Sequence, residues 1–310
     1  MFITEILCRI LAKHTVDTQM IDSTTLILTL MWGAAIGCIY VLLATGLNLI
    51  FGVMKLVNFA HGELLMIGAF VSFSVSTALG LDAYIAVFIS MGVVGLIGVA
   101  VERLAFRRVL GADKLNEIFV SLGLILIFDN IAVLIWGEKS KRIISPFENM
   151  GLQLGDVTIS FDWLIAIVFV IAILIGLVFL IKKTKVGMAM RATSQKSQAS
   201  MLMGINIEHI YIITFALGAA LAGAAGSLYG IIFPFNPYIG ALPTIKAFAI
   251  IILGGLGSIP GAIIGGLLYG IAEQSAVIFL GGIWRDAVAF SLLIIVLILR
   301  PTGLFGEKDN

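Results

Sequence analysis

"KLVNFAHGELLMIG", residues 55–68, sets Asn58 and His61 between two long apolar runs, 26–50 and 62–80, and Glu63 at the start of the second. Whether these polar groups end a soluble core helix or interrupt a membrane-spanning one decides the fold, and the rest of the chain answers the question. Hydrophobic residues make up 60% of the 310, charged residues only 12%, and the mean hydropathy is +1.14. Soluble domains are nearer half apolar and about a quarter charged, so this is the composition of an integral membrane protein. A formal net charge of +1 provides no concentrated basic surface for a phosphate backbone. The lipid bilayer is therefore an expected partner and nucleic acid is not.

Outward from the opening stretch, nine apolar runs cover about 26–50, 62–80, 83–101, 117–136, 161–181, 211–232, 244–256, 260–280 and 284–300. A helix needs about 20 apolar residues to cross the hydrocarbon, and backbone polar groups cannot stay unpaired there. The runs are too long and uniform for the alternating strands of a barrel. The expected fold is all-α: a polytopic membrane helix bundle of roughly 8–10 spans, some broken or re-entrant. Residues 1–25 read as an amphipathic interfacial segment, because Glu5, Arg9 and Lys13 stack on one helical face opposite Phe2, Ile3, Ile6 and Leu7. The membrane domain then runs 26–306, followed by a tail at 307–310. Cys8 and Cys38 lack metal-ligand or redox spacing.

Lys and Arg placement orients the bundle. Segment 182–196 holds five basic residues and no acid, and 102–114 holds four basic and two acidic; both are expected in the cytoplasm. Loop 137–162 mixes Lys139, Lys141 and Arg142 with Glu138, Glu148, Asp156 and Asp162, which suits the outer face. Arg300 and Lys308 bring the C-terminus inside. Three stretches precede the first inside loop, leaving residue 1 outside unless 53–62 is itself a break within the membrane.

Two interrupted regions are candidates for a substrate pathway: Asn58, His61, Gly62 and Glu63 near the start, and "GGLGSIPGAIIGG", 254–266, with Gly255 and Gly257, near the end. Transporters place broken helices at corresponding positions of two halves, with half-helix termini facing the pathway. The alternative for 254–266 is a tight turn between two spans. An ionisable group at membrane depth costs roughly 2.5–3.5 kcal/mol unless it faces protein or water, and His61 reads either as a pathway group or as a satisfied structural one. Amides around 58–62 are suited to a carboxylate at a helix start. Tyr40, Thr45 and Asn48 are further pathway candidates. Asp129, Asn130, Lys246, Glu273 and Gln274 lie in apolar runs either as pathway groups or as one another's buried partners, and the sequence does not pair them.

Small residues four apart, Ala222, Gly226 and Gly230, then Gly257, Gly261 and Gly265, and Gly33 and Gly37, read as close helix packing. The long segment 182–210 ends its polar stretch in Met201, Leu202, Met203 and Gly204, a docking surface for a soluble partner. No G-x-x-x-x-G-K-[ST] loop, Cys/His metal set or G-x-S-x-G elbow occurs, so neither ATP binding nor catalysis is expected on this chain.

"NFAHGELLMIGAF" (58–70), "RATSQKSQASMLMGIN" (191–206), "NPYIG" (236–240), "KAFAIIILGGLGSIPGAIIGG" (246–266) and "RPTGLFG" (300–306) together resemble the LivH-type permease subunit of branched-chain amino acid ABC importers, in order and in spacing over about 26–306. The resemblance implies a multi-helix bundle with inverted internal halves in a bacterial or archaeal plasma membrane. It implies three kinds of partner: a second related permease subunit, two cytoplasmic ATPase subunits that carry ATP and Mg, and an extracytoplasmic solute-binding protein. It makes 191–206 the coupling helix, with Arg191, Ala192, Ala199, Met201, Leu202, Met203 and Gly204 against the ATPase, and places no cofactor on this chain. Branched-chain or other neutral amino acids are the implied substrates, with urea or short amides as the alternative for the same architecture. A different class, an autonomous secondary transporter or channel, would use His61, Glu63, Asp129 and Glu273 as an ion relay and need no ATPase.

Overall fold

A computed structural model describes residues 23–148, 150–154 and 157–306. The proposed interfacial segment therefore lies outside the described residues except for its last three positions, as does the tail 307–310. Eleven α-helices are described: α1 Ser23–Met54, α2 His61–Leu79, α3 Ala83–Leu104, α4 Lys114–Trp136, α5 Phe161–Lys183, α6 Lys185–Gln195, α7 Ser197–Leu202, α8 Ile207–Ile232, α9 Ala241–Gly254, α10 Ile259–Leu280 and α11 Arg285–Leu299. A two-stranded antiparallel hairpin, β1 Gly151–Leu154 with β2 Val157–Ser160 in register Leu152↔Ile159, decorates the loop before α5.

Eight of the helical segments are long and apolar enough to span a bilayer. The ninth apolar run forms α9, whose 14 residues reach only about 21 Å against the roughly 30 Å of hydrocarbon. Chain direction is fixed by contacts at the two ends. At one end Arg107 pairs with Glu208 at 3.3 Å and Lys114 donates to the Lys55 carbonyl at 2.7 Å. This end gathers the loops that basic residues assign to the cytoplasm, and we call it the basic face. At the other end Lys141 bridges to Phe235 and Tyr84 donates to Asp162 at 2.7 Å. Ser23 begins α1 at that opposite face, matching the odd count of spans before residue 105.

α1 and α8 form the centre, with residues 35–50 of α1 buried throughout. α3 packs along α8, α10 along α1, and α2 crosses between them. Only 11% of the spanning window of α4 and 6% of that of α11 is buried, so the apolar surface of these helices faces lipid or another chain. Small residues set the close approaches: a Cβ on Gly33 would fall 2.8 Å from Ile271 Cα, and one on Gly37 3.0 Å from the Gly266 carbonyl oxygen. On α8, Ala222 is fully buried, Gly226 lies against the Leu65 carbonyl, and Gly230 faces Ile143 and Phe235. Gly261 meets the Gly254 carbonyl and Gly265 the Ile250 carbonyl. Without a water-driven hydrophobic term inside lipid, such backbone proximity is what holds helices together.

Two breaks shape the interior. After Met54 the chain climbs back from the basic face as residues 55–60, and α2 starts at His61, beside Gly46. Gly46 lies eight residues, or about 12 Å, up α1 from Met54, so α2 begins inside the bundle. After Ile232 the chain descends from the opposite face as 233–240, and α9 starts beside Gly62. The partner of 58–62 is thus 236–240 rather than the 254–266 region expected from sequence. Gly255–Ser258 is a tight turn at the basic face, with Ser258 capping α10 through the Gly261 N–H at 3.2 Å. Six glycines marked that turn strongly, whereas the true second break, 233–240, carries two prolines, Pro234 and Pro237, but only one glycine, Gly240, and reads as a loop.

Candidate substrate pathway and coupling surface

The two interior helix starts meet. Asn58 Oδ1 accepts the Ala60 N–H at 3.0 Å, and the Gly62 N–H donates to Thr244 Oγ1 at 2.9 Å. Thr244 in turn donates to the Gly240 carbonyl at 2.9 Å. A Cβ on Gly62 would collide with that carbonyl and with Thr244, and one on Gly240 would collide with the Glu63 carboxylate. Glu63 therefore lies against the start of α9, where the partial positive charge of a helix N-terminus favours an anion. On its other side it faces Asp129 of α4. His61 is fully buried; its ring sits near the Leu43 carbonyl and packs at Gly46 of α1, which also meets Gly218 of α8. The amides at 60 and 62, expected to face a ligand, are bonded to the protein's own Asn58 and Thr244.

Sequence left the deep polar residues unpaired, and the structure pairs two of them, Lys246 and Glu273. Lys246 of α9 donates to Glu273 Oε1 of α10 at 2.9 Å and forms an ion pair with Asp286 of α11 at 3.1 Å. Arg285 approaches the same Glu273 oxygen at 2.8 Å, and Tyr40 of α1 donates to it at 3.3 Å. Two cations and two carboxylates make the cluster neutral, which lowers the cost of holding charge away from water. Glu273 Oε2 and the Tyr269 hydroxyl have no hydrogen-bond partner. Sequence reading missed Arg285 and Asp286; the signal was there, two opposite charges opening an otherwise apolar run. Thr45 is buried with its hydroxyl unpartnered. Gln274 is buried and Asn130 turns back to the Leu126 carbonyl at 2.7 Å.

At the basic face a polar cavity of about 680 Å³ opens between α1, α6 and the α9–α10 turn, lined by Asn48, Lys55, Arg191, Ser194, Gln195 and Ser258. Asn48 clamps the turn, accepting from the Gly257 N–H at 2.7 Å and donating to the Ser258 carbonyl at 2.8 Å. Gly257 holds φ +83° beside Gly52, and Gly255 backs onto Gly306. The cavity thus brings together expected pathway residues, Asn48 and Gly257, and an expected coupling residue, Arg191. None of residues 58–63 lines it.

Beside the cavity, α6 starts at a Thr184 cap that accepts the Gly187 N–H at 3.1 Å, and α7 follows after Lys196. The α7 tip is bare: Met201 is 62% exposed, Leu202 89% and Met203 83%. Arg191, Ala199 and Gly204 are exposed and Ala192 half-buried. These side chains project from the basic face, and no other described part of the chain covers them.

Multiple spans, two helix starts inside the bundle, and a polar cavity coupled to one face define a multi-pass transport permease. The chain belongs to the family described as "Branched-chain amino acid transport system / permease component", which matches residues 29–297. It is 36% identical over 293 residues to the high-affinity branched-chain amino acid transport system permease protein BraD of Pseudomonas aeruginosa, covering 89% of this chain and 94% of that relative. Identity to LivH of Escherichia coli is 35% over 294 residues, with the same 89% and 94% coverage. A probable LivH of Methanocaldococcus jannaschii is 31% identical over 86% of this chain and 88% of its own. The probable LivM permease of that organism is more distant, at 25%. No solved structure matches. The family and the eight apolar spans make this a multi-pass plasma-membrane protein.

Proposed function

We propose that this chain is the membrane subunit of an importer that moves branched-chain or other neutral amino acids into the cytoplasm by alternating access. It pairs with a second related permease chain and is loaded by an extracytoplasmic binding protein. Two ATPases, which carry ATP and Mg, dock on α6–α7 at the basic, cytoplasmic face. The observation that carries this reading is the bare Met201–Leu202–Met203 tip joined through α6 to the cavity at Asn48 and Gly257. Apolar side chains that are neither in the core nor at lipid depth mark a protein contact. Movement of α6 by a docked ATPase reaches the cavity wall through Arg191 and Ser194.

The test is a reconstituted complex carrying Leu202→Asp and Met203→Asp. Both positions are exposed, so the permease is expected to fold as before. Co-purifying ATPase and ATP-driven uptake should fall at least about tenfold, the effect of losing about 1.4 kcal/mol of contact. Uptake and ATPase retention equal to the unmodified complex would place the docking surface elsewhere.

A further inference from the structure

An apolar groove of about 450 Å³ runs between α3, α5 and α8 on the lipid-facing side, away from the polar cavity. Its floor is small, with Ala172, Gly176 and Ala220, and its walls include Met91, Leu177 and Leu217. α5 leans on α1 and α6 and only lightly on α8, which leaves the gap. No heavy atom of another helix lies within 4 Å of where a Gly176 Cβ would be, so glycine there widens the groove instead of admitting a neighbouring helix. Phe88 and Phe169, ring centroids 5.7 Å apart, stand at the far end. The near end reaches Leu180, two residues before the exposed pair Lys182 and Lys183.

We propose that this groove is a binding site for one anionic phospholipid of the leaflet at the basic face, its acyl chain in the groove and its headgroup on Lys182 and Lys183. From Phe169 to Leu180 is about 16 Å of helix, and half of a hydrocarbon core of about 30 Å is about 15 Å. One acyl chain therefore fills the groove from its mouth to the aromatic pair. The headgroup end carries the right sign: segment 182–196 contains no acid. The charged groups at the same end of α3, of the turn that follows it and of α8 are Glu102, Arg103, Arg107, Arg108 and Glu208, and Arg107 binds both Glu102 and Glu208, at 3.1 and 3.3 Å. Lys182 and Lys183 make no ion pair among the described residues, and a polybasic site at a bilayer surface attracts anionic lipid at about 1 kcal/mol per cation. A bound lipid would tie α5 to the α3–α8 pair across a gap that protein leaves open.

Two measurements on the complete complex test this. In phosphatidylcholine vesicles titrated with brominated phosphatidylglycerol, a Leu180→Trp reporter is expected to be quenched half-maximally at a mole fraction at least fivefold lower than with brominated phosphatidylcholine. Lys182→Gln with Lys183→Gln should erase that difference while leaving quenching itself. Gly176→Leu, which fills the groove, should remove one phospholipid per permease chain from the set retained on mild-detergent purification. Equal quenching by the two lipids in the unmodified lysine background overturns the headgroup assignment, and unchanged retention in a monodisperse Gly176→Leu complex overturns the site. Recovery of a stoichiometric polypeptide cross-linked to groove residues would make it a protein interface instead.

Discussion

"NFAHG" at 58–62 and "NPYIG" at 236–240 are the same device used twice, in opposite directions. Each opens with an asparagine whose side chain accepts a backbone N–H two residues on, Asn58 from Ala60 at 3.0 Å and Asn236 from Tyr238 at 2.9 Å. Each ends four residues later in a glycine, and those glycines, Gly62 and Gly240, touch inside the bundle. One chain segment rises to this meeting point from the basic face and the other descends from the opposite face. Their surroundings differ. Asn58 is 1% exposed and His61 fully buried, while Asn236 is half-buried and Tyr238 is 55% exposed. The first break is sealed within the protein, and the second keeps one side open. Similar local hydrogen bonding therefore carries different energetic weight in the two places, because an unmade hydrogen bond costs most where water cannot replace it.

The comparison is broken most severely at the glycine contact. Gly62→Val is expected to cost more than about 4–5 kcal/mol, the exceptional range for one substitution, and to abolish the monodisperse peak in size-exclusion chromatography of the solubilised protein. Gly123→Ala, where nothing lies within 4 Å of the added carbon, is expected to stay within about 0.5 kcal/mol. Second in size is the charge cluster around the descending break. Lys246→Met leaves Glu273 without the lysine that donates to it and should cost about 3–5 kcal/mol, read as a lower thermal midpoint. Adding Glu273→Gln should recover most of that loss, and a double variant no better than the single would show that pairing is not what holds these helices.

Thr244→Val removes the acceptor of the buried Gly62 N–H, and a loss of about 1–3 kcal/mol is expected, measured by thermal unfolding in detergent. The smallest effect, at Asn236, emerges when the two asparagines are compared directly. Asn58→Ala should cost about 1–3 kcal/mol and Asn236→Ala less than about 1 kcal/mol, because water reaches the freed amide. Equal losses would mean that the two turns are equally sealed, contrary to their exposures.

Much of this was legible beforehand. The nine apolar runs and the eight spans plus short α9 coincide closely, because hydrocarbon demands length and continuity whatever the neighbours are. The basic count placed 102–114 and 182–196 on one face, and contacts between Arg107 and Glu208 bring their flanks together there. The bare Met201–Met203 tip was also readable as apolar residues outside any span. The partner of the first break was not. Gly-rich 254–266 carried the louder signal and forms an ordinary turn, while 233–240 has little in its composition to distinguish a re-entrant descent from a surface loop. Depth is a property of where a segment is held, by Gly62, Thr244 and Glu63 from distant positions in the chain.

By itself, then, the sequence determined membrane class, the approximate spans, their basic-face orientation and the family, since each follows from local composition or linear order. Only the tertiary structure decided that Asn58 and Thr244 occupy the amides of the first break and that Lys246, Glu273, Arg285 and Asp286 form one neutral cluster. It also decided that Asn48, Gly257 and Arg191 share a cavity. Apart from Asn58 with Ala60, two residues on, these are pairings across 12 to more than 200 residues, and in a bundle any polar residue at depth has several geometrically possible partners. Hydropathy reports the cost of burying a charge but not which neighbour offsets it.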